Sequence, residues 1–473
     1  MIKTLLVLLS ACLYGIAYIC PIYFWWTVLI FLVPLFYCVA AKPHNIQPLT
    51  FTDGVLWSTV AFTLHLSGVL DGLFINAEGP IFLRILPPLL VLLLAITYGI
   101  LWFAGTIWLS NPSLRQAQGK LLRMTGHMRL AIWVITAWLF FLWMEHCCIF
   151  MLGAWEGYLL CNPLVPLVHF PALLYFMPKI GSVLFLLFFV GAQALVAAAY
   201  IWRRWCLGIA IVLASVWGLE IFLWYEQEKT MHNTDTLACG SAFFKSLDNI
   251  THNGRVIREY CKALLKKYPD AGIIFFPETA LRCPLLVGEP DIVALLNQQE
   301  LDKPITLLMG GYRWDNDIYR NTIYWIHDGK LIDLFDKRHA MAFTERLPQH
   351  SQLANNYLIK ETYFKTHKGI TAALHPRPLW KISPHLTVIP YICSELFFNN
   401  SPDHSPEDGA IIVALCNDNW LSYDFMRYQM LMGARYRAIH WQIPIIYVAH
   451  FYQALCEPWG DYYPLKAFDH NQE

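Results

Sequence analysis

A cysteine stands two residues ahead of a glutamate in Tyr391-Ile392-Cys393-Ser394-Glu395, and it closes the apolar stretch Leu386-Thr387-Val388-Ile389-Pro390. That placing predicts a thiol at a strand end. Upstream, Pro277-Glu278-Thr279 follows the apolar run Ile273-Ile274-Phe275-Phe276, and Lys337 stands in Asp336-Lys337-Arg338-His339. A carboxylate, an ammonium and a thiol, each at or just past an apolar strand, supply the base, the oxyanion partner and the nucleophile of covalent acyl transfer. Taken singly, each has a plainer account, since a free cysteine is often an inert core residue. Cys416 ends another apolar run with no glutamate two residues on, and reads as a core thiol. The histidines lack metal-binding spacing and no phosphate-binding glycine loop appears, so no metal and no nucleotide cofactor is expected.

The elements that must hold these groups are short apolar runs alternating with helical stretches. Strands are predicted at Gly272–Phe276, Ile305–Met309, Thr322–Ile326, Leu386–Tyr391, Gly409–Leu415 and Pro444–Ala449. Helices are predicted at Arg255–Lys267, Asp291–Gln299 and Tyr423–His440. Such alternation is the pattern of a layered α/β domain. Asp328-Gly329, between Tyr324-Trp325-Ile326 and Leu331-Ile332-Asp333-Leu334, is a hairpin turn signal.

The other half of the chain is of a different kind. Of the 473 residues, 57% are hydrophobic and only 14% charged, against about 25% charged in an ordinary soluble domain. Mean hydropathy is +0.42. The formal net charge is zero, so nothing favours a nucleic-acid partner. The uncharged runs concentrate in residues 1–225, which reads as a transmembrane domain, while residues 226–473 read as a water-exposed one. A spanning helix needs about 20 apolar residues. About seven stretches qualify: Thr4–Cys20, Phe24–Ala40, Gly54–Ile75, Ile81–Gly105, Leu130–Leu152, Ile180–Tyr200 and Leu207–Tyr225. The first lacks a small-residue cleavage site and is kept as an anchor. With the N-terminus inside, inner segments carry Lys3, Lys42, Arg115, Lys120, Arg123, Arg129, Arg203 and Arg204, and the outer loops little beyond Lys179. Basic residues stay on the cytoplasmic side, so residues 226–473 are expected outside the cytoplasm, in the periplasm of a bacterium with two membranes. His65, Asp71, Arg84, Glu145, His146 and Glu220 lie in or near the spans; most are expected to snorkel from helix ends.

The motifs together carry a resemblance. Phe276-Pro277-Glu278-Thr279-Ala280-Leu281 is similar to the glutamate motif of the nitrilase superfamily. Asp336-Lys337-Arg338-His339, followed by Phe343-Thr344-Glu345-Arg346-Leu347-Pro348, resembles the lysine motif and its loop. Ile392-Cys393-Ser394-Glu395 resembles the cysteine motif, and Asn417-Asp418-Asn419-Trp420 the segment after it. A multi-span half joined to such a domain resembles the apolipoprotein N-acyltransferase family in particular. The resemblance implies a multi-span helical membrane domain followed by an αββα sandwich. It implies Glu278 as base, with Lys337 and the Ser394 backbone N–H stabilising the oxyanion. Glu345 would hold Lys337 or serve as a second carboxylate, and Glu395 would brace the pocket. Phe343, Phe397 and Trp420 would contact substrate. The implied reaction moves an acyl chain from a phospholipid to Cys393 as a thioester, then to the α-amine of a diacylglyceryl-cysteine on a lipoprotein, at the bacterial inner membrane.

The sequence also departs from that family. The family usually carries a further transmembrane helix after the catalytic domain, and no apolar span follows it here. Trp133-Val134-Ile135-Thr136-Ala137-Trp138-Leu139 stands where the family tends to carry a Glu and then an Arg. Tyr447-Val448-Ala449-His450-Phe451-Tyr452 replaces a polar Asn/Gly-containing turn, and Thr236-Leu237-Ala238-Cys239 lacks the usual Gln-Gly-Asn signature. A membrane-anchored amidase, a conjugal-transfer TraB-like protein and a vestigial fold without activity therefore stay open as alternatives.

Overall fold

The computed structural model describes residues 1–41, 46–76, 81–110, 126–147, 159–201, 206–226, 237–240, 250–286, 303–315, 318–340, 345, 371–373, 375–384, 386–398 and 409–468. They form two compact units. One comprises Met1–Met151, Trp155–Glu228 and Leu421–Met432; the other comprises Leu152–Ala154, Lys229–Trp420 and Gly433–Glu473.

In the first unit, six helical stretches are long and apolar enough to cross a membrane: Ile2–Ile19, Pro21–Ala40, Phe51–Ile75, Arg84–Ser110, His127–His146 and Ser182–Ala199. A further helix, Cys206–Glu226, occupies the seventh predicted stretch. The second stretch is not one continuous helix. A turn of helix at Pro21–Phe24 gives way to a 3₁₀ segment, Trp25–Leu29, and the α-helix resumes at Val33–Ala40. Pro34 near its start is compatible with a helix only in the first turn. Not every ionisable residue here snorkels. His65, Glu145 and Glu220 are buried. Glu145 accepts from Asn162 Nδ2 at 2.7 Å and Glu220 from the Phe176 N–H at 3.1 Å. A buried polar group without a partner is costly in an apolar surrounding, so these carboxyls are held inward by donors rather than drawn to helix ends.

The second unit is built on two six-stranded sheets. Its strands are β1 (Leu237–Gly240), β2 (Ile273–Leu286), β3 (Thr306–Asp315), β4 (Ile318–His327), β5 (Lys330–Asp336), β6 (Trp380–Ser383), β7 (Leu386–Ile392), β8 (Ala410–Leu415), β9 (Ile445–Val448), β10 (Gln453–Cys456), β11 (Tyr462–Pro464) and β12 (Lys466–Phe468). The first sheet runs β12-β1-β2-β3-β4-β5 and the second β11-β10-β9-β8-β7-β6. The first sheet is parallel from its β12 edge through β3 and antiparallel at β4 and β5; the second is parallel at its centre (β7-β8-β9) and antiparallel at both flanks. The sheets pack on each other, β2 on β8 and β4 on β7. The helix Ile250–Lys267 covers the outer face of the first sheet: Ile257, Tyr260, Cys261 and Leu264 share a core with Ile274, Phe276, Leu307 and Met309. On the second sheet, Trp441, at the end of the helix Asp424–Trp441, meets Tyr391 with ring centroids 5.8 Å apart. This is the αββα sandwich.

The local sequence explains the strands. All six residues of β8 are buried, as a central parallel strand covered on both faces requires. Asp328 and Gly329, with φ of 46° and 71°, join β4 to β5; left-handed φ at both positions fits a two-residue hairpin turn. The helix predicted at Asp291–Gln299 lies outside the described residues. β6, β10, β11 and β12 were not predicted; each is three or four residues long, too short for alternation to register.

Candidate active site

Glu278 sits in a break in the β2–β3 ladder. Pairing runs from Ile273↔Thr306 to Phe276↔Met309 and resumes at Leu281↔Gly311. Four residues, Pro277 to Ala280, thus stand opposite Gly310 alone. Bulges re-aim side chains in this way, and a proline that cannot donate to the ladder fits one. Thr279 takes a left-handed φ of 62° within it. Gly310 makes the bulge possible: a Cβ there would lie 2.6 Å from the Glu278 Cα and 2.7 Å from the Pro277 carbonyl oxygen.

Lys337 follows β5 directly. Its N–H donates to the Asn321 carbonyl at 2.8 Å, and its own carbonyl accepts from the Ala373 N–H at 2.9 Å. The preceding Asp336 is locked by the Arg313 guanidinium and by Thr322 Oγ1 at 2.7 Å. With its backbone fixed on both sides, the Lys337 side chain is 1% exposed. Its Nζ donates to Glu278 Oε1 at 3.1 Å and to Glu345 Oε1 at 2.6 Å. Burial alone would lower the ammonium's pKa, but Glu278, Glu345 and Cys393 around it raise it well above the usual lysine value. Lys337 is therefore a fixed positive charge at neutral pH.

Cys393 closes β7, opens the 3₁₀ turn Cys393–Leu396 and holds a left-handed φ of 43°. A non-glycine residue held there is uncommon and marks a position fixed by its surroundings. Glu395 does much of the fixing. Its carboxylate accepts from the Arg338 N–H at 2.7 Å, the Ile392 N–H at 2.9 Å and Arg377 Nη1 at 3.1 Å. It thus ties the turn after β7 to the segment after β5, and so Cys393 to Lys337. Burial would raise its carboxyl, but Arg377 and the N–H donors outweigh that and hold it below the usual carboxylate value. Arg377 also donates to the Pro390 carbonyl at 2.6 Å and lies 3.6 Å from the Tyr391 ring centroid. Pro390 is tolerated in a central strand because β6 pairs with β7 only as far as Val388, and Arg377 occupies the flank beyond.

The structure thus brings Glu278, Lys337, Glu345 and Cys393 together and places Glu395 as a brace behind them. Ser394 is beside Cys393, its Oγ donating to the His339 carbonyl at 3.3 Å. Phe397 is buried, and Trp420 is half-buried at the end of the Asn417–Trp420 turn. Phe343 lies outside the described residues. Asn417 Nδ2 donates to Thr279 Oγ1 at 3.1 Å, linking the two sheets at the bulge.

Sequence reasoning missed Asn321. Its Nδ2 donates to Glu278 Oε1 at 2.6 Å and to Glu345 Oε1 at 3.2 Å, so the same two carboxylate oxygens receive both the lysine and the amide. The available signal was a polar residue in phase with Tyr319 and Ile323 on a strand. Arg377, in His375-Pro376-Arg377-Pro378, carries no pattern that marks it.

Two packed sheets, with a carboxylate in a bulge of β2 and a lysine and a cysteine just past β5 and β7, define an α/β domain of the nitrilase-like class. Residues 216–463 match the carbon-nitrogen hydrolase family model, more than half of the chain, and the chain belongs to that family. It is similar to apolipoprotein N-acyltransferases. The one from Rhizobium rhizogenes is 29% identical over 187 residues, 38% of this chain and 34% of that protein. The one from Bradyrhizobium diazoefficiens is 31% identical over 188 residues, 37% of this chain and 34% of that protein. The chain spans about a third of the length of these curated relatives. Among solved structures, a CN-hydrolase superfamily protein from Xanthomonas campestris is 16% identical, covering 46% of this chain and 83% of that one at a TM-score of 0.33.

Proposed function

We propose that this chain is a membrane acyltransferase working through a thioester on Cys393. The observation that carries the reading is the Lys337 ammonium, buried between the Glu278 and Glu345 carboxylates and beside Cys393. Glu278 takes the thiol proton as Cys393 attacks the ester carbonyl of a phospholipid acyl chain. Lys337 and the Ser394 backbone N–H stabilise the oxyanion, a role in which one donor is worth about 2.7–4 kcal/mol in other enzymes. Glu278 then returns the proton to the departing lysophospholipid oxygen. The α-amine of a diacylglyceryl-cysteine at a lipoprotein N-terminus attacks the thioester, an amide forms, and the thiol is restored. Glu345 holds Lys337, Glu395 braces the cysteine turn, and half-buried Trp420 is open to an acyl chain. Two lipid-anchored substrates account for a catalytic domain joined to membrane helices. The basic-residue asymmetry of the loops supports a place for that domain on the periplasmic face of the inner membrane.

The test is acyl capture. The purified protein in detergent receives phospholipid with a labelled acyl chain, and Cys393 is examined by mass spectrometry. The reading expects a hydroxylamine-labile adduct on Cys393 that is missing in Cys393→Ala. Folded protein without an adduct would overturn it. An adduct that passes only to water, with no transfer to a lipoprotein amine, would instead make the chain a lipid ester hydrolase; the absence of any adduct would favour an amidase acting on a carbon–nitrogen bond.

A further inference from the structure

We propose that Cys393 and Cys416 form a reversible intramolecular disulfide when the protein meets a hydroperoxide, a covalent modification site that withdraws the nucleophile. The bond itself depends only on geometry; its consequence for catalysis rests on the reading of Cys393 given above.

The two cysteines are neighbours across a parallel pair. β7 and β8 are in register through Ile392↔Leu415, and Cys393 and Cys416 are the residues that directly follow the two strands. Adjacent strands run about 4.7–4.9 Å apart, inside the range of about 4.4–6.8 Å between Cα atoms that a disulfide spans. Both cysteines are free. The Cys416 N–H is tied to the Val448 carbonyl at 2.8 Å, so the second thiol is held on a fixed backbone. After burial, hydrogen bonding to Cys393 is the strongest influence on the Cys416 thiol, and both push it well above the usual thiol value. Alone, then, Cys416 is a poor nucleophile, and its chemistry waits on an activated partner next to it.

Access sets the order of events. Cys393 is 8% exposed and Cys416 0%, so a small oxidant meets Cys393 first, at the sulfur beside the Lys337 ammonium. With hydrogen peroxide, the Cys393 sulfur attacks one peroxide oxygen; the O–O bond breaks, a sulfenic acid forms and one water leaves. The Cys416 sulfur then attacks the sulfenic sulfur; the S–O bond breaks, its thiol proton leaves with the hydroxyl, and a second water is released. Two thiols are oxidised by two electrons and one hydroperoxide is reduced. Without a resolving thiol, a sulfenic acid goes on to the sulfinic acid, which is irreversible for most proteins. Two other cysteines of this unit lie elsewhere: Cys261 on the helix outside the first sheet, and Cys456 on β10, which is separated from β8 by β9.

The experiment uses the full chain in detergent, reduced, desalted, exposed to hydrogen peroxide, blocked with an alkylating agent and digested. The expected result is a cross-linked peptide pair holding Cys393 and Cys416 that dithiothreitol releases, while Cys416→Ser accumulates sulfinic acid on Cys393. Acyl capture in the oxidised wild type is expected to be lost and then restored by dithiothreitol. If Cys393 in the wild type runs to the sulfinic acid with Cys416 still alkylatable, or if both thiols survive the peroxide, the proposal is overturned. A cross-link in protein that captures no acyl chain even when reduced would leave the disulfide standing and overturn the acyltransferase reading instead.

Discussion

Gly310 and Glu278 approach so closely that a side chain on the first would displace the second: a Cβ on Gly310 falls 2.6 Å from the Glu278 Cα. The neighbour is backbone, with no flexible side-chain end to give way. Gly310→Ala is expected to push the bulge out of place. Overpacking of this kind costs about 1–3 kcal/mol, and acyl-enzyme formation should fall by more than the loss of folded protein explains. Thermal melting and single-turnover acylation on the same preparation check this. A variant with wild-type acylation would show that the bulge tolerates the methyl.

Lys337→Met removes the ammonium between Glu278 and Glu345 and leaves two carboxylates without it. Breaking a buried pair costs about 3–5 kcal/mol, and an oxyanion donor is worth a rate factor of about 10²–10³. Acylation should drop by at least that factor. The pH behaviour of the native protein follows from the raised lysine pKa. The ion pair's contribution is fully present below the ordinary lysine value of 10.5 and is lost only as pH rises through the higher folded value. A pH series of melting temperatures should therefore show no loss from this group between neutral pH and the lysine range.

Glu395 gives the opposite sign. Its folded carboxyl sits below the ordinary 4.5, so its contribution is present above that value and fades as pH falls through the folded one. Glu395→Gln keeps the shape and loses the charge opposite Arg377. It should be destabilised at neutral pH by about 3–5 kcal/mol. The gap to wild type should narrow as the pH drops below 4.5. Denaturant unfolding at neutral and acid pH measures it, and an equal gap at both would mean the carboxylate is not the group being felt.

Asn321→Leu deletes two hydrogen bonds to charged oxygens, each worth about 1.5–3 kcal/mol. Acylation is expected to slow by about ten- to a hundredfold, with a smaller change in melting temperature than Lys337→Met gives. Asn321→Asp, which adds a third carboxylate, should be worse than Asn321→Leu. If the two variants behave alike, the amide acts only by filling space.

The parts of this site that were legible in the sequence are those attached to strong periodic elements. Lys337 and Cys393 each follow an apolar run that became β5 or β7, so their place at strand ends could be read directly; Glu278 follows the run Ile273–Phe276, but β2 continues past it to Leu286, and the bulge that holds it left no mark in the pattern. The supports were not legible. Arg377 reaches Glu395 and Pro390 from an irregular loop, and Asn321 acts across two strands from a residue just outside the predicted limits of β4. Both depend on which strands become neighbours, and a linear pattern holds no record of that. The same limit hid the short outer strands: β6, β10, β11 and β12 are three or four residues each, and their pairing partners are all that makes them strands. Buried His65, Glu145 and Glu220 were read as snorkelling because sequence gives their depth in a span but not the donors waiting inside.

The pairing of β1 with β12, Cys239 with Ala467 at its centre, joins residues at opposite ends of the second unit. A ribosome that has delivered β1 through β5 has supplied five of the six strands of that sheet and neither of the two cysteines discussed above. Non-local pairings of this kind form late and slowly. The domain must wait as an incomplete sheet with an open edge at β1 until residue 468 has been made, and such edges invite pairing with the wrong chain. Truncations that spare every residue of the candidate site but remove β12 are therefore expected to fail in assembly rather than in chemistry.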